Sequence, residues 1–421
     1  MREMKDSGIA WIGEIPREWE VANIGACTNE VACPNTDCSE SNALQFKMGS
    51  IISKKGGDSK YHPDTLAAYT KVKKGDIVIN GLNLSFDLIS QRVGLVRETG
   101  VITSTYLTLR PTELLYSNYL AYLFKAYDNC KAFHGMGRGL RQILSYNELK
   151  KYFLVLPPLS EQHLISSYLD AKCSEIDSAL SLQEQMISEL RAYKQSLITE
   201  TVTHGLNPNA KMKNSGVEWI GEVPEGWEVG RLKDRISFIN GYAFKSDNFT
   251  IDVGVNVIRI GDIGEVIDFK GCVKAVVDDV ISLQPYKILE NDILIAMSGA
   301  TTGKCCIAKD VDEAYINQRV GIIRSTDYAY IYYSLQTNYL QEYINLHNAG
   351  SAQPNISSSA IGNYPIPLPP LSEQRSIASF LDEKCAEIDA LIVLREKKME
   401  ALKEYKKSLI YECVTGKKQV I

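Results

Sequence analysis

No apolar run in this chain approaches the ~20 residues that a bilayer-spanning helix requires, so no membrane segment is expected. The opening residues, Met1 to Asp6, hold no apolar signal core, which predicts a cytoplasmic protein. Histidine is scarce: five in 421 residues, none beside cysteines at finger spacing, which excludes the usual zinc patterns. Ten cysteines are present, but Cys27, Cys33 and Cys38 form no C-x2-C pair and Cys305-Cys306 are adjacent. Free, mostly buried thiols in a reducing compartment are expected. Basic excess is missing as well. The formal charge of −5 argues against a tight, sequence-indifferent nucleic-acid binder, although local basic patches or partner subunits can still supply phosphate contacts.

Catalytic signatures are equally thin. Gly299-Ala300-Thr301-Thr302-Gly303-Lys304-Cys305 has three residues between its glycines where a phosphate loop needs four, and Cys where Ser or Thr would bind magnesium. Gly135-Met136-Gly137-Arg138-Gly139 follows a helical stretch, which suits a flexible cationic loop better than a dinucleotide loop. Asn207-Pro208-Asn209 lacks the aromatic residue of an amino-methyltransferase motif. No Gly-x-Ser-x-Gly or His-Glu-x-x-His signature is found.

What the chain has is a repeat. Pro157-Pro158-Leu159-Ser160-Glu161-Gln162 returns 212 residues later as Pro369-Pro370-Leu371-Ser372-Glu373-Gln374. The match continues through Asp170/Asp382, Lys172/Lys384 and Cys173/Cys385 to Ser196-Leu197-Ile198 and Ser408-Leu409-Ile410. A second block, Met4-Lys5-Asp6-Ser7-Gly8 with Trp11-Ile12-Gly13-Glu14, returns as Met212-Lys213-Asn214-Ser215-Gly216 with Trp219-Ile220-Gly221-Glu222. Two similar halves, each closed by a long helix, imply pseudo-twofold symmetry and a bipartite ligand.

Within each half, short β-type runs predict strands: 76–79 and 105–109 in the first, 255–260, 293–296 and 320–323 in the second. Tyr-rich helical stretches follow at 116–133 and 328–346, their tyrosines read as core. The fold class predicted is α+β. In the tails Ser160 and Ser372 are candidate N-caps, Glu161 and Glu373 favour the positive helix end, and Leu159 with Leu164 could staple the first copy. Apolar or small residues at 169, 173, 176, 180, 187, 190 and 197, and at 381, 385, 388, 392, 399, 402 and 409, follow a 3.5-residue coiled-coil period, broken at Gln183 and Lys194. Some 40 residues at ~1.5 Å each make a rod of roughly 60 Å.

The Leu-Pro-Pro-Leu-Ser-Glu-Gln approach to a long helix, at 156–162 and 368–374, resembles the specificity subunit of type I restriction–modification systems, as do the paired Trp-Ile-Gly-Glu openings. The resemblance implies two target-recognition domains, 1–156 and 205–368 (205–216 a linker), separated by spacer helices at 157–204 and 369–421 packed as an antiparallel coiled coil. It also implies a subunit without catalysis, whose domains each read half of a split site in double-stranded DNA. The helices would set the spacer and dock two methyltransferase (modification) subunits. S-adenosylmethionine would belong to those partners, no cofactor to this chain, and up to two translocating endonuclease (restriction) subunits can join. A fused enzyme and a protein-only scaffold are the alternative readings.

Base readout needs hydrogen-bonding forks, Arg to guanine and Asn or Gln to adenine. Loops where the halves diverge in polar identity are therefore the candidates. Thr103, Ser104 and Thr105 lie opposite Asn317, Gln318 and Arg319. Arg138, Arg141 and Gln142 lie in a stretch opposite one carrying Ser351 and Gln353, with Asn355 just beyond. Lys47 in one half matches Arg259 in the other, and Lys54, Lys55, Tyr242 and Lys245 complete the set, more suited to phosphate positioning than to base reading.

Overall fold

A computed structural model describes residues 2–54, 63–84, 91–137, 142–264, 266–347 and 354–420. The chain forms two compact units, and the division cuts both long helices: Met1–Glu184 with Glu396–Ile421, and Gln185–Arg395. Arg138, Arg141, Lys55, Ser351 and Gln353 lie outside the described residues.

The first unit is built on a four-stranded antiparallel sheet of β1 (Thr28–Glu30), β2 (Ile77–Ile79), β3 (Val93–Leu95) and β4 (Leu107–Pro111), in the order β1-β4-β2-β3. The second repeats it with β5 (Ser237–Asn240), β6 (Ile293–Ala296), β7 (Cys305–Ile307) and β8 (Val320–Arg324), in the order β5-β8-β6-β7. Every residue of β2 and β6 is buried, which explains their unbroken apolar sequence. Two smaller pairings recur in identical register. Met4–Asp6 pairs with Glu14–Pro16 as Met212–Asn214 does with Glu222–Pro224, and Glu20–Asn23 pairs with Phe153–Leu156 as Glu228–Arg231 does with Pro365–Leu368.

The lobes differ in what is inserted. The first carries the hairpin Leu44–Lys47/Ser50–Ser53 and the pair Thr70–Val72/Gly100–Ile102. The second carries a further four-stranded sheet in which Val255–Ile258 and Ala314–Ile316 run parallel. The Tyr-rich helix of the first unit is Ser117–Asn129. Its counterpart, expected as one helix over 328–346, breaks into Tyr328–Leu335 and Asn338–His347 where Thr337 bonds back to the Ser334 carbonyl.

The two long helices are Leu159–His204 and Leu371–Val414. Their repeated motif has a physical explanation. Glu161 accepts the Trp19 indole N–H at 2.9 Å and Glu373 that of Trp227 at 2.9 Å. Buried Gln162 bonds the Tyr116 amide and the Leu114 and Pro157 carbonyls, while Gln374 bonds the Pro369 carbonyl. Each helix start is thereby tied to its lobe. The serine caps expected from sequence do not form: the helices begin two residues earlier than such caps would allow, and the Pro158 and Pro370 carbonyls accept the amides of Gln162 and Gln374. Leu159 and Leu164, at 46% and 52% exposure, make no staple.

Tyrosines hold helix and lobe together. Tyr122 and Tyr333 donate to Asp170 and Asp382, each at 2.7 Å, and burial together with those carboxylates pushes both phenols up. In the first unit, Leu169, Cys173 and Ile176 share a core with Leu409, Ile410, Cys413 and Val414. In the second, Ile198 and Val202 share one with Ile377, Leu381 and Cys385. Low numbers on one helix meet high numbers on the other, so in each unit the two segments pack antiparallel. Asp177–Lys406 and its repeat equivalent Asp389–Lys194 flank the seam at 2.6 Å. Being largely exposed, such pairs contribute well under ~1 kcal/mol, so the apolar seam carries the packing. Gln183, read as a break, is buried at 5% exposure.

Each helix ends on the Trp that anchors the start of the other. Gly205 (φ +76) caps the first, and a Cβ there would come within 2.9 Å of Trp227. Gly416 (φ +72) follows the second, against Pro16 and Trp19. Gly416→Ala should therefore destabilise the protein by about 1–3 kcal/mol in urea unfolding, through left-handed strain and a clash with Pro16. Gly226→Ala, which meets nothing within 4 Å, should change it by less than about 1 kcal/mol.

Candidate nucleic-acid interface

The sheet topology gathers the candidate loops at one end of each lobe. In the second, β5 ends at Asn240, β6 ends at Ala296 and β8 begins at Val320, so 240–242, 297–303 and 317–319 emerge together. The backbone fixes them. The Tyr242 N–H donates to the Ile316 carbonyl (3.0 Å), Asn317 N–H to Ile258 (2.9 Å) and Met297 N–H to Arg319 (2.9 Å). Segment 354–356 returns to the same end, with Gly299 N–H donating to Pro354 and Ile356 N–H to Met297, both at 2.9 Å. A cleft of about 520 Å³ results, lined among others by Asn240, Gln318, Arg319, His347, Asn355 and Ser358. Of the sequence candidates, Gln318, Arg319 and Asn355 are thus brought together.

The cations here are not equivalent. Arg324 grips buried Asp292 through two bonds of 2.6 Å, and Asp292 also accepts the Leu289 amide. The first unit repeats this with Arg110 on Asp76 at 2.7 and 2.8 Å, Asp76 accepting the Lys73 amide. These pairs clamp the turn before β2 and β6, and the hydrogen bonds to aspartate raise both guanidinium pKa values. Arg259 lies 3.8 Å from Asp262, which also accepts its amide. Arg319 is different: it is exposed, and its guanidinium has no side-chain partner among the described residues. Lys245 is exposed beside an aromatic group in which the Tyr242 ring lies 4.9 Å from Phe244 and 5.3 Å from Tyr286.

The first lobe places its candidates at the matching end. Thr103, Ser104 and Thr105 form the turn before β4, with Thr103 and Thr105 hydroxyls 3.1 Å apart. Gln142 (φ +44) returns to the loop after β2 through its carbonyl, which accepts the Leu84 amide, and Leu144 N–H donates to Gly81. That pairing is the repeat counterpart of the 354–356 return. Lys47 ends a hairpin strand and is exposed, while the Lys54 amide bonds the Ala43 carbonyl. The hairpin meets the 103–106 turn through Phe46 and Tyr106, rings 5.5 Å apart. Arg92, buried, holds the loop open by donating to the carbonyls of Asn80, Leu82 and Asn83.

Sequence reasoning missed Asn240, His347 and Ser358 in the cleft. Asn240-Gly241 carried a turn signal after a strand; nothing marked the other two. The Gly299–Thr301 segment is a 3-10 turn leading into the strand β7, where a phosphate loop would lead into a helix. All ten thiols are free, seven of them buried, and burial pushes Cys305 and Cys306 up to about 12. No helix among the described residues is long and apolar enough to cross a membrane.

Residues 224–403 match the type I restriction modification DNA specificity domain. The type I restriction enzyme MjaVIII specificity subunit of Methanocaldococcus jannaschii is 27% identical over 96% of this chain and 94% of its own length. The EcoAI specificity subunit of Escherichia coli is 36% identical over 38% of this chain and 29% of its own. A chain from a solved type I R-M assembly superposes with TM-score 0.71 at 16% identity, covering 96% of this chain and 99% of that one. The HsdS subunit of Thermoanaerobacter tengcongensis gives 0.52 at 18% identity, over 96% and 98%. Residues 224–403 thus match the DNA specificity domain of type I systems, and the whole chain is similar to a type I specificity subunit along its length.

Arg324→Ala should cost about 3 kcal/mol of unfolding free energy by stranding buried Asp292. Arg319→Ala should leave stability within about 0.5 kcal/mol in the same urea titration.

Proposed function

We propose that the protein is the non-catalytic DNA-sequence-specificity subunit of a type I restriction–modification complex. Each lobe reads one half of a bipartite site, and the paired helices set the gap. The observation that carries this reading is that two lobes of one topology present, at the same end of the same sheet, loops of different side chains: Thr103-Ser104-Thr105 in one, Asn317-Gln318-Arg319 in the other. A duplicated scaffold with divergent tips suits one backbone geometry, two half-sites and two base sequences.

The division of labour follows from the chemistry. Free Arg319 offers a fork to guanine, Gln318 and Asn317 to adenine, and Lys47 and Lys245 suit phosphates. With a net charge of −5 the chain would share phosphate neutralisation with partners. Those partners are two methyltransferase subunits docked on the helices and holding S-adenosylmethionine, with restriction subunits joining them. Purified chain that methylates DNA unaided would overturn the non-catalytic assignment.

Co-expression with its methyltransferase subunit, followed by methylation mapping, should yield a split motif. Arg319→Ala should relax one position of one half-site and weaken binding by about 1–3 kcal/mol. Unchanged preference would remove Arg319 from the interface. One heptad inserted into each long helix adds roughly 10 Å, and the spacer should grow by about three base pairs with both halves unchanged.

A further inference from the structure

The two-residue turn joining Leu44–Lys47 to Ser50–Ser53 is unusual. Met48 and Gly49 both take left-handed φ values, +46 and +75. That combination defines the tight hairpin turn in which Asn-Gly is the favoured pair, because Asn tolerates the left-handed region and a long apolar side chain does not. Met48 nevertheless occupies the first position, with its side chain 64% exposed. A strained backbone and an apolar group turned to solvent are two separate costs at one residue, and strain of this kind collects where a ligand is gripped.

The surroundings say which ligand. On the outward face of the hairpin, cross-strand pairs are Gln45–Ile52 and Lys47–Ser50, while Leu44 and Ile51 face the core. Lys47, next to the tip, is exposed and has no side-chain partner among the described residues. Gly49 lies over the start of β3: a Cβ there would stand 3.6 Å from the Val93 carbonyl, which puts the tip at the loop-bearing end of the sheet. The second lobe also exposes an apolar turn, Ile251 and Val253 at 85% and 66%, but these flank Asp252, whose carboxylate would meet phosphate repulsively. Of these two turns, the Met48 tip is the one that joins an apolar wedge to a cation.

We propose that Met48 is a wedge that inserts its thioether between adjacent base pairs of the half-site read by the first lobe, while Lys47 neutralises the neighbouring phosphate. Apolar side chains inserted at a base step unstack it and bend the duplex, which adds sequence preference through deformability. This rests on the DNA-reading function above and extends it to a distortion of the DNA that the hydrogen-bonding loops do not require. The first lobe's Thr-Ser-Thr turn has no long fork, so the wedge would supply selectivity that the second lobe obtains from Arg319.

The test uses the full chain, with its methyltransferase subunit, on duplexes carrying the methylated motif and 2-aminopurine at successive positions. Wild type should raise fluorescence at one step of one half-site. Met48→Asn, which suits the left-handed turn and should fold at least as well, should lose that rise and bind several-fold more weakly. Met48→Leu should retain the rise, and Lys47→Ala should weaken binding while keeping it at saturation. If Met48→Asn binds and brightens the probe as wild type does, or if wild type brightens no position, the wedge is overturned while DNA reading stands. If neither protein binds with or without the partner, the DNA-reading function itself falls and the wedge with it.

Discussion

One contact type organises the rest of the molecule: an indole N–H held by the carboxylate in the first turn of a long helix. Trp19 with Glu161 and Trp227 with Glu373 are the same bond made twice at the same length. The carboxylate gains from the helix dipole as well as from the indole, and the glutamine that follows it is buried on carbonyls of the lobe. The far end of the other helix then closes on the same ring, through Gly416 at Trp19 and Gly205 at Trp227. Every lobe is thereby fastened to one helix start and one helix end, which explains why each compact unit contains pieces of both helices.

That anchoring separates scaffold from reading surface. The bidentate ion pairs on buried aspartates, Arg110–Asp76 and Arg324–Asp292, are spent on the turns before β2 and β6, and Arg92 is spent on loop carbonyls. What remains for a ligand is the unpaired set at the sheet end: Arg319 and Gln318 in one lobe, Lys47 and Met48 in the other. An acidic protein can serve DNA in this way because specificity needs few correctly placed groups, whereas bulk affinity can come from partner subunits.

Much of this was legible in the sequence. The repeat spacing located both helices, and the continuous apolar runs located β2 and β6. The 3.5-residue period named the seam positions, of which Leu169, Cys173, Ile176, Ile187, Leu381, Cys385, Ile388, Ile392 and Leu409 are buried. The reason the motif takes its form was not legible. Glutamate was read through the helix dipole alone, and its tryptophan partner lies 142 residues away in one half and 146 in the other. The serine caps failed because the preceding proline carbonyl already starts the helix. The cleft around Arg319 is closed by 354–358, and no local sequence pattern marks that return. The left-handed backbone at Met48 was not legible because Met-Gly, unlike Asn-Gly, carries no hairpin-turn signal.

The central claim is that one scaffold, used twice, carries two independent reading surfaces. It is tested most directly by making the surfaces identical: residues 232–364 replaced by residues 24–152, with the flanking strands Glu228–Arg231 and Pro365–Leu368 and both helices left in place. Methylation mapping of a host carrying this chain with its methyltransferase subunit should then give an inverted repeat of the half-site read by the first lobe, at the original spacing. An unchanged asymmetric motif, or loss of the first half-site from the motif, would contradict it.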